Sequence, residues 1–257
     1  MTSLTGAHAL ITGGGTGIGA AVAVALSNAG ATVTLAGRRR ENLDEVAAKL
    51  SRATVCPTDV TNEASCAALI AHARKVHGPI DIVVANAGGA MSAPFAKTDL
   101  AKWQDIIDVN LTGSFLTVKA ALADLLRKDA STGPRRVIFI ASTAGLKGYP
   151  YVVPYVAAKH GVVGLARGLA LEYARTPLTV NAVCPGYVET PLFDATIANI
   201  MKTTGRTAEQ AKSDLLKSNP QGRAITPEEV ANTVLWLCAP AAQSVTGQAI
   251  AMSGGEI

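Results

Sequence analysis

The sequence predicts an α/β fold with a doubly wound parallel sheet of about seven strands and helices on both faces. Short aliphatic strand patterns alternate with helix patterns along the 257 residues, and such alternation is typical of right-handed βαβ units. Hydrophobic residues make up 49% of the chain and aromatic residues only 4%, which suits buried parallel strands. We therefore expect a single domain over residues 1–257.

The individual elements follow from hydrophobic periodicity and from turn signals between the apolar runs. A helix is predicted to end at Gly30, a common helix stop, and another to begin at Asn62, a favourable N-cap residue. The region around 187–220 is expected to form a helical substrate lid, of which 191–220 is the least regular part. The predicted strands are 7–11, 32–36, 53–56, 80–85, 137–141, 178–183 and 249–252, and the predicted helices include 17–28, 41–50, 99–127 and 154–174.

Composition excludes several classes of protein. The net charge is +4 and no basic run is interleaved with aromatic residues, so we expect no nucleic-acid partner. The four cysteines form no CxxC pair, so neither a metal site nor a disulfide framework is predicted. The sequence shows no signal-peptide pattern and no apolar run of about 18 residues. We expect a soluble cytoplasmic protein without a membrane span.

A glycine-rich turn at 12–19 directly follows the first predicted strand and opens a helix. Glycines permit a tight turn and a close approach of backbone N–H groups to a pyrophosphate, and the helix N-terminus adds partial positive charge there. A Walker A loop requires a lysine after Gly19, where this chain has Ala20. The turn therefore predicts a Rossmann-type dinucleotide site rather than an ATP loop. Its predicted cofactor contacts are Gly13, Gly15, Thr16, Gly17, Ile18 and Gly19.

The end of the second predicted strand bears on the choice of cofactor. A NAD-preferring fold carries an acidic residue about 20 residues beyond the glycine-rich turn, whereas this chain has Gly37 followed by Arg38. A small residue leaves room for a 2′-phosphate, and an arginine can pair with it in bidentate fashion. The alternative is that 38–40 only solvate the start of a helix, although cations are unfavourable at a helix N-terminus. NADP(H) is favoured and NAD(H) remains the alternative.

Tyr155 and Lys159 are four residues apart on a predicted helix and therefore share one face. An ammonium near a phenol favours the phenolate, so we expect a lowered pKa for Tyr155. Such a tyrosine can donate a proton to a carbonyl or accept one from an alcohol. The alternative interpretation is an ordinary pair of side chains on a surface helix.

Two further polar residues occupy positions where chemistry is expected. Ser142 follows an apolar strand, and its hydroxyl is suited to hold a substrate oxygen, although it is also suited to cap a turn. Asn110 lies within a helical pattern, where asparagine is a poor helix former. Its structural explanations are a satisfied backbone carbonyl or a kink, and its functional explanation is a water that relays protons to Lys159.

Together these residues resemble the classical short-chain dehydrogenase/reductases, over essentially the whole chain. The C-terminal part is similar to 3-oxoacyl-thioester and polyketide ketoreductases. The resemblance implies a catalytic tetrad of Asn110, Ser142, Tyr155 and Lys159. The motifs that carry it are 12–19, Asn86-Ala87-Gly88, Asn110, Ser142, Tyr155-xxx-Lys159, Asn181 and Pro185-Gly186.

The resemblance also implies roles for residues outside the tetrad. Asp59 and Val60 are expected at the adenine ring, and Asn86, Ala87 and Gly88 beside the cofactor. Asn181 is expected to be structural, and Ala85 departs from the second asparagine of many members. The residues expected to cover the nicotinamide are Pro185, Gly186, Val188 and Thr190. A homotetramer or a dimer is the expected assembly.

The expected reaction is hydride transfer between NADP(H) or NAD(H) and a secondary alcohol or ketone. A 3-oxoacyl or 3-hydroxyacyl thioester is one possible substrate, and a cyclic or aromatic alcohol is another. A catalytically idle dinucleotide-binding regulator or scaffold is the alternative from a different class. An extended-family epimerase is disfavoured by the chain length, and a hydrolase by the lack of GxSxG. The residues expected to contact substrate are Ser142, Leu146, Tyr149, Tyr155 and Tyr187.

Overall fold

One sheet of seven parallel strands forms the centre of the structure, a computed structural model that describes residues 3–128 and 133–257. Its strands are β1 (His8–Thr12), β2 (Thr32–Gly37), β3 (Ala53–Pro57), β4 (Ile82–Ala85), β5 (Arg135–Ile140), β6 (Leu178–Pro185) and β7 (Ala249–Met252). They are ordered β3-β2-β1-β4-β5-β6-β7, and each neighbouring pair is parallel. The chain order reverses between β1 and β4, which is where doubly wound sheets bind their ligands. The predicted fold class is confirmed.

Nine α-helices accompany the sheet within the described ranges. They are α1 (Gly17–Asn28), α2 (Arg40–Ala47), α3 (Glu63–His77), α4 (Leu100–Ile107), α5 (Gly113–Leu125), α6 (Val153–Glu172), α7 (Pro191–Thr204), α8 (Ala208–Leu216) and α9 (Pro227–Cys238). Helix α1 packs against α9, and α3 packs against α5.

Alternate residues of the central strands enter two separate cores, because successive side chains of a strand point to opposite faces. Ile11 of β1 belongs to the core under α1 and α9, whereas its neighbour Leu10 belongs to the core under α3, α5 and α6. In β5, Ile138 and Phe139 divide in the same way. Helices therefore cover both faces of the sheet. Functional groups that must reach a ligand can lie only at the carboxyl ends of the strands.

The helix predicted over 99–127 is interrupted. Helix α4 ends at Ile107, a π-helical turn covers Asp108–Thr112, and α5 begins at Gly113. The reason is Asn110, which turns its side chain inward and binds the carbonyl of Ile106. The satisfied backbone carbonyl expected for Asn110 is present, and the helix is interrupted at this point by the π-helical turn.

Two other differences concern the C-terminal half. Helix α9 was not predicted, although the run Thr226-Pro227-Glu228-Glu229 forms a full capping box at its start. The irregular region 191–220 contains the two helices α7 and α8, which contact each other. Its role as a lid stays a prediction.

One helical stretch, Leu100–Leu125, is long and apolar enough to span a membrane by length and composition alone. It passes through the π-helical turn, and 44% of its most apolar window is buried within the protein. Its C-terminal half contacts β4, β5 and α3. These contacts are those of a core helix in this fold.

Candidate active site

The glycine-rich turn between β1 and α1 is shaped by three positions that exclude a side chain. Gly13 has a φ of 65°, and a Cβ there would lie 2.7 Å from Asn86 Nδ2. A Cβ on Gly19 would overlap the carbonyl oxygen of Gly13. A Cβ on Gly17 would lie 2.9 Å from Thr190 Cγ2. The turn can therefore fold this tightly only with glycine, which leaves its backbone open to a ligand.

Asn86, after the end of β4, holds this turn in place. Its Nδ2 donates to the carbonyl oxygens of Thr12 (2.9 Å) and Gly13 (3.1 Å). In return, Thr12 Oγ1 accepts the backbone N–H groups of Asn86 and Ala87, each at 3.1 Å. These four bonds join the ends of β1 and β4 at the point where the sheet reverses its order.

A rim of polar residues continues along the ends of β2 and β3. Arg38 is exposed directly after β2, and it contributes to lowering the pKa of Asp59. The larger cause of that lowered pKa is hydrogen bonding from Thr61, whose N–H and hydroxyl both donate to Asp59 Oδ1. Val60 is buried against Cys66 and Leu116. Its backbone, rather than its side chain, is therefore placed to meet a ligand.

The loop after β6 crosses above the glycine-rich turn. Thr190 is the N-cap of α7 and packs against Gly17. Gly186 donates its N–H to the carbonyl of Met252 at 2.9 Å, and the buried Val188 forms a parallel bridge to Ile225. Of the residues predicted to cover the nicotinamide, Thr190 therefore lies against the glycine-rich turn, while Pro185, Gly186 and Val188 lie at the end of β6 and in the loop that leads to Thr190.

Tyr155 lies in the first turns of α6, facing Ser142 at the end of β5. Ser142 lies close enough to Tyr155 to favour its phenolate, and Ser142 Oγ accepts the N–H of Ala144 at 3.1 Å. Burial raises the pKa of Tyr155 to about 12, and the nearby Ser142 hydroxyl only partly opposes this rise. The lowered pKa expected for Tyr155 is therefore not found in this structure.

The reason is the position of Lys159. Its Nζ donates to the carbonyl of Ile140 at 2.8 Å and lies 5.5 Å from the centroid of the Tyr155 ring, above the ring face. The ammonium is not among the groups that shift the pKa of the phenol. Burial lowers the pKa of Lys159 to about 8, so a fraction of this lysine is neutral near neutral pH.

Asn110 completes the cluster from the π-helical turn. Its Nδ2 donates to the carbonyls of Ile106 (2.9 Å) and Gly89 (2.8 Å), and its Oδ1 accepts the N–H of Gly89 at 3.3 Å. A Cβ on Gly88 would lie 2.7 Å from Asn110 Oδ1 and 3.7 Å from Lys159 Nζ. Gly88 therefore lets Asn110 and Lys159 approach each other, and all four tetrad residues meet at the ends of β4 and β5.

The remaining predicted substrate residues surround this cluster. Leu146 is half-buried and packs on the core beneath α6. Tyr187 is half-buried and lies 5.7 Å from Phe193, ring centroid to ring centroid. Tyr149 donates its hydroxyl to Glu256 Oε1 at 2.8 Å. Contact of these three residues with substrate stays a prediction.

Sequence reasoning missed two groups near the site. Glu256, in the C-terminal tail, is 6% exposed at its side chain and reaches the loop after Ser142. Cys184 is fully buried beside the cluster, where burial raises the pKa of its thiol to about 11. No local pattern marks Glu256, whereas the sequence pattern around Cys184 indicates only a buried strand thiol.

A nicotinamide dinucleotide fits the residues present. At Gly13, Gly17 and Gly19 an added Cβ would meet other protein atoms, so the tight backbone turn that a pyrophosphate requires depends on glycine at these positions. The first turn of α1 carries no acidic residue and no side-chain cap, so its N–H groups are directed at the position where a pyrophosphate binds. No cluster of three or more His, Cys, Asp or Glu suited to a metal occurs among residues 3–128 and 133–257.

Comparison with known proteins agrees with this geometry. The sequence profile of the short chain dehydrogenase family matches residues 7–200. The chain is 40% identical to the D-beta-hydroxybutyrate dehydrogenase of Rhizobium meliloti (strain 1021), with 96% of this chain and 97% of the relative covered. It is 38% identical to a putative ketoacyl reductase of Streptomyces coelicolor, with 96% and 95% covered.

Among solved structures, a single-residue variant of the actinorhodin polyketide ketoreductase with NADPH superposes with a TM-score of 0.90 at 36% identity, covering 100% of this chain and 99% of that one. The agreement extends over the whole fold that carries the glycine-rich turn and the catalytic cluster. The chain therefore belongs to the short-chain dehydrogenase family and is a nicotinamide-dependent oxidoreductase acting on alcohol and ketone groups.

Proposed function

We propose that this enzyme is an NADP(H)-dependent ketone reductase whose substrates are 3-oxoacyl thioesters or closely related ketones. The observation that carries the reaction is the meeting of Ser142, Tyr155 and Lys159 at the end of β5. The relatives named ketoacyl reductase support the substrate class. The exposed Arg38 after Gly37, with no acidic residue at the strand end, supports a 2′-phosphate and hence NADP(H).

In this mechanism the chain orients the ketone and supplies the proton. The nicotinamide, when bound, supplies the hydride to the carbonyl carbon. Ser142 and Tyr155 donate hydrogen bonds to the carbonyl oxygen, and the Tyr155 proton moves to that oxygen as the alcohol forms. A proton relay from Lys159, which the carbonyl of Ile140 holds beside Asn110, restores the proton of Tyr155, and a water held by Asn110 supplies protons to Lys159. The cofactor contacts proposed are 13 and 15–19, Arg38, Asp59, Val60, 86–88, Tyr155, Lys159, Pro185, Gly186, Val188 and Thr190.

The protonation state of the catalytic pair suits the role of Tyr155 as the acid in ketone reduction. A phenol whose pKa is raised to about 12 is protonated at neutral pH and is ready to act as the acid. A lysine whose pKa is lowered to about 8 exchanges protons readily near neutral pH. Alcohol oxidation requires the phenolate, so we expect it to be favoured at higher pH.

We also propose that the enzyme works as a homotetramer or dimer in the cytoplasm. Exposed hydrophobic side chains on α4, α5 and α6 support a self-association surface. They are Leu100, Phe115 and Leu171. Size-exclusion chromatography with light scattering measures the assembly, and a monomer at micromolar concentration would contradict it.

The test is a panel of ketones, thioesters and cyclic alcohols assayed with NADPH, NADH and the oxidised cofactors, comparing the wild type with Tyr155→Phe. We expect NADPH-dependent reduction of 3-oxo esters or thioesters and a loss of at least about 100-fold in kcat for Tyr155→Phe. Near-normal turnover by the variant would contradict the role of Tyr155. Tight NADPH binding without turnover would favour a dinucleotide sensor, and turnover confined to cyclic alcohols would favour that alternative substrate class.

A further inference from the structure

The C-terminal tail places a buried carboxylate against the loop that follows the catalytic Ser142. The tail turns at Gly254 and Gly255, both with positive φ, and a Cβ on Gly254 would clash with the side chain of Asn219. This turn directs Glu256 back toward the site. Its side chain is only 6% exposed although it is the penultimate residue.

Glu256 holds two groups of the loop after Ser142. Its Oε1 lies 2.8 Å from Lys147 Nζ and accepts the hydroxyl of Tyr149 at 2.8 Å. Tyr149 Oη is also 2.9 Å from Thr143 Oγ1, and Thr143 directly follows Ser142. A chain of polar contacts therefore runs from the residue beside the catalytic serine to the carboxylate of the tail.

The ion pair between Lys147 and Glu256 determines the net charge beside the loop that follows Ser142. Lys147 lies between Leu146 and Tyr149, two residues predicted to contact substrate. Its ammonium is 5.1 Å from the centroid of the Tyr149 ring, and its side chain is 39% exposed. Free of Glu256, this ammonium would attract a substrate carboxylate. In the ion pair, the negative charge of Glu256 balances the positive charge of this ammonium.

Three basic residues of the predicted lid are already near acidic side chains and are therefore less suited to bind a substrate anion. Arg206 and Lys217 both contact Asp214, and Lys212 Nζ lies 3.9 Å from Glu189. Burial raises the pKa of Tyr187, and the negative charge of Glu256 contributes to this rise, so that charge acts at a residue predicted to contact substrate.

We infer that Glu256 is a specificity-determining residue, which neutralises Lys147 and makes the enzyme select uncharged 3-oxo esters and thioesters over free 3-oxo acids. This inference rests on the proposed ketone reduction and names its substrate class more narrowly. Hydroxybutyrate, for which one relative is named, is a carboxylate at neutral pH, so a preference of this chain for esters would distinguish it from that relative.

The test compares acetoacetate with methyl acetoacetate, which differ mainly in the negative charge. The measured quantity is the ratio of kcat/KM for the anion to kcat/KM for the ester, with NADPH. We expect the wild type to favour the ester and Glu256→Gln to raise the ratio about tenfold, through a larger gain for the anion. The double variant K147Q/E256Q is expected to lose this gain.

A matched variant controls for the loss of one negative charge elsewhere in the protein. Glu172→Gln removes such a charge at the opposite end of α6, about 25 Å from Tyr155 along the helix, and is expected to leave the ratio unchanged. A Glu256→Gln ratio equal to that of Glu172→Gln, or a gain that persists in K147Q/E256Q, would overturn the inference.

A binding measurement keeps the result independent of turnover. Calorimetric titration of both compounds into NADPH-saturated Tyr155→Phe, with and without Glu256→Gln, is expected to show the same tenfold change in relative affinity. That change without turnover by the wild type would contradict the proposed reaction but support the charge selection. If the relative affinity did not change, or if neither compound bound, the inference that Glu256 makes the site favour the ester over the anion would be overturned.

Discussion

Lys159 Nζ donates to the carbonyl oxygen of Ile140 at 2.8 Å, which ties the middle of α6 to the end of β5. The bond fixes the ammonium above the Tyr155 ring, 5.5 Å from its centroid. It also keeps the Lys159 ammonium in a buried site. No carboxylate is among the groups that shift the pKa of this lysine. Burial therefore dominates, and the pKa of Lys159 is lowered to about 8.

This pKa predicts a pH dependence of stability. Between about 8 in the folded protein and the ordinary lysine pKa of 10.5, the folded state holds fewer protons than the unfolded chain. Its stability therefore rises with pH in this window, since deprotonation removes the cost of burying the ammonium. Between about pH 7.5 and pH 10, we expect the free energy of unfolding of the wild type to rise by about 2 kcal/mol relative to that of Lys159→Met. Urea unfolding measures this difference. The exposed Lys49→Met is the control, and parallel pH profiles for wild type and Lys159→Met would contradict the prediction.

The glycine-rich turn predicts a second outcome. In Gly19→Ala the new Cβ would meet the backbone oxygen of Gly13, which cannot move away without opening the turn. We expect the Kd for NADPH, measured by fluorescence titration, to rise at least about tenfold, a loss of about 1.4 kcal/mol. Gly168→Ala on α6 is the control, because nothing lies within 4 Å of the position that its Cβ would take. Unchanged affinity in Gly19→Ala would show that the turn does not bind the cofactor.

Arg38 predicts the choice between the two nicotinamide cofactors. Arg38→Ser removes the exposed guanidinium at the end of β2, so we expect kcat/KM for NADPH to fall about tenfold or more and that for NADH to change little. Arg40→Gln is the matched control, since Arg40 Nε is paired with Asp44 at 3.2 Å. An equal loss with both cofactors, or a wild type that prefers NADH, would contradict the assignment of the 2′-phosphate to Arg38.

Arg136 predicts a loss of stability far from the chemistry. This arginine is 1% exposed, and its guanidinium donates to the carbonyls of Leu237 (3.0 Å), Arg135 (2.9 Å) and Ala239 (3.3 Å). Two of these carbonyls lie at the C-terminal end of α9, where a cation is favourable. We expect Arg136→Met to lower the free energy of unfolding by about 3 kcal/mol, because buried carbonyls lose their donors. Activity per folded molecule should be retained. A more stable variant would show instead that desolvation of the guanidinium outweighs its hydrogen bonds.

Local geometry explains what was predictable from the sequence. Tyr155 and Lys159 share a face because helix geometry depends only on their spacing, and the glycine-rich turn follows from backbone sterics. The pKa of Tyr155 could not be predicted in this way. Its direction depends on burial, and burial is created by strands and loops distant in the sequence.

The same reasoning explains the elements and residues that were missed. Arg135 and Arg136 open β5, but two adjacent charges resemble a loop, and the partners of Arg136 lie about a hundred residues further on. Glu256 likewise becomes part of the site only when the tail folds back onto Lys147. A long-range contact of this kind leaves no periodic signal in the sequence.

The π-helical turn at Asp108–Thr112 also fixes the length of the chain between α4 and α5. A π turn holds one more residue than an α turn, and one residue corresponds to about 100° of rotation about the helix axis. Deleting a residue here would restore a regular helix but rotate α5 relative to α4. Helix α4 packs on α6, whereas α5 packs on α3 and the sheet. After that rotation, α4 and α5 could not keep both sets of contacts at the same time. We therefore expect a one-residue deletion or insertion within 100–125 to disrupt the packing of this enzyme.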